Sequence, residues 1–158
     1  MFRELVRKKQ KLTEEECLAV LRGQKRGVLS VLGEDGYPYG MPLNHWYCED
    51  DGKLYFHSGK TGHKIDALRA EEKASYCVYD EGFRRPGEWA LNIRSVIVFG
   101  RVRFVEDPEE AIRVTRRLSL QFTQDAAYIE NEIEHFGANV LVFSLTPEHI
   151  CGKLVNES

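Results

Sequence analysis

The chain has 158 residues, 42% of them hydrophobic, with 22 basic against 25 acidic side chains and a net charge of −3. That length fits one domain spanning residues 1–158, with enough apolar side chains for a core and no stretch polar enough to be disordered. The near-balanced charge excludes a general nucleic-acid binder, and no apolar run approaches the ~20 residues that span a bilayer.

In chain order, "MFRELVRKKQKLTEEE" (1–16) is charged with no hydrophobic stretch behind it. It does not read as a secretory signal, and a cytoplasmic protein is expected. Thr13 followed by Glu16 forms a capping box, so a helix is expected over 13–23 with Cys17, Leu18 and Leu21 turned inward. "GVLSVL" (27–32), "YGMPLNHWY" (39–47) and "LYFHS" (54–58) then read as an antiparallel meander, with Asp-Gly in both turns. A short helix begins near Thr61 or Gly62 and carries Ile65, Ala67 and Leu68 inward. "ASYCVY" (74–79) and "RSVIVFGRVRFVE" (94–106) are further strands, separated by a long loop over 80–89, and Gly100 marks a bend or bulge in the second. Asp107-Pro108 starts another helix, with Ile112, Leu118 and Phe122 on its buried side. Residues 123–137 read as helical, and 139–155 supply one or two closing strands. The fold class is mainly β with a few helices, a six-stranded antiparallel barrel or curled sheet.

Cys17, Cys48, Cys77 and Cys151 are far apart in sequence, so no zinc or redox Cys-x-x-Cys motif can be drawn, and no metal is expected. "SGKTGHK" (58–64) contains Gly-Lys-Thr, the end of a nucleotide phosphate loop. The glycine such a loop needs five positions earlier is Leu54, at the start of a strand, and the parallel framework is missing, so a triphosphate site is excluded. A simpler anion site stays open. A helix start offers free N–H groups, with Ser58, Gly62, Lys60, Lys64 and His63 around it. Local chemistry fits that site and a solvated turn with two surface lysines equally well.

Here the residues resemble a known family, the FMN-binding split barrels related to pyridoxamine 5′-phosphate oxidase. "FHSGKTGHK" (56–64) is similar to the family's phosphate segment, which implies FMN contacts from His57, Ser58, Gly62, His63 and Lys64. The family has arginine at the position of His63. "YGMPLNH" (39–45) resembles the strand beside the flavin ring, which implies Met41, Pro42, Leu43 and Asn44. "RSVIVFGRVRFVED" (94–107) resembles a strand whose glutamine reaches a flavin held by the other subunit, and Ser95 takes that place. Over residues 12–150 the pattern is closer to the subgroup associated with 5-nitroimidazole resistance than to the oxidase. The oxidase's Arg- and Trp-rich C-terminal segment has no counterpart in 148–158.

The resemblance implies a homodimer with FMN at the interface and an oxidoreductase that reduces a small aromatic or nitro compound with electrons from NAD(P)H. The alternatives are a flavin- or haem-binding module without turnover and a flavin-free scaffold. No acid–base pair is evident. His57 is the best candidate for a chemical role, since imidazole titrates near neutral pH, but a ring packed against the ligand or hydrogen-bonded in the barrel is the simpler explanation.

Overall fold

The computed structural model describes residues 1–158. Helix α1 (Glu14–Gly23) begins at the expected capping box: the Thr13 hydroxyl accepts from the Glu16 amide, and the Glu16 carboxylate accepts from the Thr13 amide at 2.8 Å. It is followed by β1 (Arg26–Leu32), β2 (Pro38–Asn44), β3 (Trp46–Cys48), β4 (Lys53–Gly59) and α2 (His63–Ala70). The second half adds β5 (Lys73–Tyr79), β6 (Asn92–Phe104), α3 (Pro108–Leu120), α4 (Ala126–Phe136) and β7 (Val140–Asn156). The strands form one antiparallel sheet in the order β2-β1-β5-β6-β7-β4-β3. The Asp-Gly links behave as expected: Asp35 and Gly36 take left-handed φ of 60° and 76°, and Gly52 takes 70°.

The sheet has seven strands where the sequence reading expects six, because the stretch 39–47 divides at His45. That residue is fully buried and leaves the ladder. Its backbone N–H donates to Lys25 O at 3.0 Å, its Nε2 donates to Leu21 O at 2.8 Å, and its Nδ1 lies 2.9 Å from the Tyr76 hydroxyl. The consequence is topological. β2 is one edge of the sheet and β3 the other, so the chain crosses from edge to edge at His45 and holds the curled sheet nearly shut. Each buried hydrogen bond of this kind contributes about 1 kcal/mol, and removing one partner would cost more.

Curling also needs a bend on the far side. The β6–β7 ladder shifts register between Phe99 and Gly100, the position read as a bulge. A Cβ on Gly100 would lie 2.1 Å from the Thr146 carbonyl oxygen, so no larger residue fits there. Inside the curl, Phe56 packs on Phe143 and Tyr76 at ring distances of 5.2 and 4.9 Å. All three are fully buried, and each contributes about 2 kcal/mol. Helices α1 and α2 complete this core through Cys17, Val20, Leu21, Ala67 and Leu68.

A smaller second core lies on the outer face, where α3 covers Tyr55 and Val142 with Val114 and Leu118. The expected apolar side of α3 is therefore partly corrected. Ile112 is 40% exposed and Phe122, past the helix end, is 47% exposed. Val114 and Leu118 stand four residues apart on one face, and Ile112 falls off it. All four cysteines are free. Burial raises the Cys17 thiol to about 11, as for a small apolar side chain. No helix is long and apolar enough to cross a membrane.

Candidate functional site

Where the curled sheet almost closes, β2 comes back beside β4. Antiparallel pairing sets Arg26 opposite Asn44, and the Arg26 Nε donates to Asn44 Oδ1 at 2.9 Å. His57, on β4, meets them across the seam. Arg26, Pro42, Leu43, Asn44 and His57 line one hollow of about 280 Å³. Arg26 and Pro42 also line a larger hollow of about 840 Å³ with Lys25, Tyr79 and Phe122, so the two adjoin. The Tyr76 hydroxyl lies 2.9 Å from both the Leu43 carbonyl and His45 Nδ1 and shares its one proton between these two acceptors, so the His45–Tyr76 pair that joins the sheet edges also fixes the strand lining the hollow.

Strand alternation sorts the sequence-predicted residues. Met41 points into the core and is 8% exposed, so only its backbone is available to a ligand, whereas Pro42 faces out. On β4, Phe56 points inward and Tyr55 outward, so His57 shares the outer face and Ser58 the inner one on which α2 packs. His57 is solvent-accessible, yet the surrounding protein holds its imidazole below the usual histidine pKa, and the neighbouring Lys64 charge lowers it further.

At the end of β4 the chain turns into α2 through Gly62, at φ 121° and ψ 168°, a conformation that favours glycine. A Cβ at Gly59 or Gly62 would meet no atom within 4 Å. The Ile65 and Asp66 amides fold back to Gly62 O at 2.9 and 3.1 Å, while those of His63 and Lys64 make no backbone hydrogen bond. Lys64 is half-buried, and burial lowers its pKa. No ion pair of the chain involves Lys60 or Lys64. A half-buried ammonium without a carboxylate, beside free amides and open space, is the arrangement an anionic group would complete.

His63 and Ser95 stand apart from this cluster. The His63 ring stacks on Tyr39 with centroids 4.2 Å apart, and its Nε2 accepts from the Glu34 amide at 3.4 Å, so the imidazole is engaged with the β1–β2 turn. Ser95 lies on β6, with β5 and β1 between it and β2, and its hydroxyl donates to Lys153 O at 3.4 Å. Arg26 and Lys25 are the residues the sequence reading overlooks. Both cations lie over the Phe122 ring, at 5.9 and 5.3 Å from its centroid. The hairpin carries the missing signal: a turn at 33–37 pairs Leu32 with Pro38 and, six residues on, Arg26 with Asn44.

These contacts predict that His57 titrates below an exposed histidine in an NMR pH series. In the variant Lys64→Ala its pKa rises towards the ordinary value, because a repelling positive charge is gone while the burial remains. An unmoved His57 titration would place Lys64 away from the imidazole.

The pyridoxamine 5′-phosphate oxidase family model matches residues 13–154. Among solved structures, a candidate 5-nitroimidazole antibiotic resistance protein from Bacteroides thetaiotaomicron is 20% identical over 92% of this chain and 87% of its own, with a TM-score of 0.75. A FAD-binding protein from Mesorhizobium loti is 26% identical over 92% of this chain and 97% of its own, with a TM-score of 0.66. A FAD-binding protein from Mycobacterium smegmatis is 17% identical over 94% of this chain and 99% of its own, with a TM-score of 0.67. No curated protein matches the chain. With all but its ends covered by the family model, the chain belongs to the pyridoxamine 5′-phosphate oxidase family.

Proposed function

We propose that the chain is a flavin-dependent oxidoreductase that holds the FMN moiety of its cofactor at the β2–β4 seam. The observation that carries this reading is the meeting of three features in one corner: the Pro42–Asn44 backbone with His57, the open start of α2, and an unpaired, half-buried Lys64. In this reading the phosphate rests on the first-turn amides of α2, with Lys64, Ser58 and Gly62 around it. Gly62 admits close approach, and His63 contributes its amide rather than its ring. Met41 to Asn44 present backbone along the isoalloxazine, with Leu43 held in place by Tyr76. Arg26 and His57 lie at the hollow's rim, where they set the charge near the ring.

A bound flavin supplies the redox chemistry, accepting a hydride from NAD(P)H and passing electrons to a small aromatic or nitro acceptor. The protein's part is to orient the ring, neutralise the phosphate and shape the approach of the acceptor. One observation favours the second reading, a flavin carrier without turnover. His57 is the only titratable group other than Arg26 lining the hollow, so no acid–base pair is assembled there.

A second copy of the chain is proposed to cover the outer face of β1, β5 and β6. Val28, Leu32, Tyr79, Ile97 and Phe99 are between 37% and 60% exposed on that side, and Ser95 lies on the same strand as the last two. Light scattering at micromolar concentration should report a dimer, and Ile97→Glu should convert it to a monomer. A wild-type monomer at those concentrations would remove the proposed interface.

Freshly purified protein is expected to be yellow with flavin absorption bands, to bleach when NAD(P)H is added without oxygen, and to recover with a nitroaromatic acceptor. Lys64→Ala should weaken FMN binding at least ten-fold, about 1.4 kcal/mol. A protein that takes up FMN but never bleaches supports the carrier. One that neither holds FMN nor gains thermal stability from it is no flavoprotein, since a ligand selective for the native state must stabilise it.

A further inference from the structure

A second cavity, of about 480 Å³, lies between β7, α3 and α4. Its size falls in the ~300–1,000 Å³ range of small-molecule sites. We propose that it receives the adenosine half of FAD, which would make the dinucleotide the preferred form of the cofactor; the inference rests on the flavin reading above. Its floor is Val140–Val142, and those residues are the ladder partners of Gly59, Ser58 and His57. Directly paired residues stand about 5 Å apart and point to the same face. The cavity therefore lies one strand spacing from the FMN corner and on the face that carries His57.

At Gly59, between the two, the backbone carries no side chain. Gly59 follows His57 on that outer face, and a Cβ there would meet no atom within 4 Å. The chemistry also suits an adenosine diphosphate end. Eight of the thirteen lining residues are hydrophobic, including Ile112 and Ile133, which suits a purine ring. Lys60 comes from the loop that leads into α2 and lines the same cavity with no carboxylate partner, placed for a second phosphate. Glu106, also in the lining, offers an acceptor for an exocyclic amino group. FMN alone would leave Lys60 and this apolar space unused.

The test is isothermal titration of flavin-stripped protein with FMN and with FAD. FAD should bind at least ten-fold more tightly. Two substitutions at exposed positions of the cavity, Ala138→Phe to fill it and Ile112→Glu to set a negative charge in it, should each abolish that advantage while leaving FMN affinity unchanged. The unchanged FMN affinity also shows that each variant is folded. FMN binding equal to or tighter than FAD, or a FAD preference that survives both substitutions, would overturn this inference and leave the flavin site standing. Binding of neither compound would overturn both.

Discussion

Everything at the candidate site depends on the sheet closing far enough for β2 to lie beside β4. Closure is secured at one joint. His45 is buried where the chain passes from one sheet edge to the other, and it ties the Lys25 and Leu21 carbonyls to the Tyr76 hydroxyl. That hydroxyl in turn holds Leu43. Burial keeps the His45 imidazole below its usual pKa, so the joint is built for a neutral ring. The pH consequence has a definite sign. With the folded value depressed, protonation favours the unfolded chain, so the joint is undisturbed above the ordinary histidine pKa and weakens as pH falls through that value and below.

The second constraint is electrostatic. A helix start with free amides attracts acidic side chains, and α2 carries Asp66 in its first turn, yet it also places a half-buried lysine there that forms no ion pair. In isolation the arrangement is unfavourable, because a cation faces the positive end of the helix in partly desolvated surroundings. An anionic ligand resolves the conflict from both sides, by pairing the ammonium and accepting from the amides. The same charge lowers the His57 pKa, so the proposed phosphate grip and the rim of the proposed ring site are coupled through one residue.

Much of this was legible in the sequence, for local reasons. The capping box of α1, the Asp-Gly turns, the Gly100 bulge and the inward residues of α2 are set by short-range sterics and periodicity, and each stands where the sequence puts it. The stretch 57–64 stands out locally because a lysine at a helix start is unfavourable without an anion, whereas 41–44 stands out through the family resemblance. What escaped was non-local. His45 looked like any strand residue, since nothing in its neighbours tells that two sheet edges meet around it. The resemblance implies a phosphate contact from His63, and nothing in the local sequence tells that its ring stacks on Tyr39 of β2, 24 residues earlier. The apolar side of α3 was misjudged because a buried face is chosen by what packs against it, here Tyr55 and Val142.

The most direct measurement of the central claim is a crystal structure of the protein soaked with FAD. The account predicts a phosphate within hydrogen-bond distance of the His63 and Lys64 amides and the Lys64 ammonium, with the isoalloxazine along Pro42–Asn44. Density for the flavin elsewhere, or only solvent in this corner at saturating ligand, would contradict it.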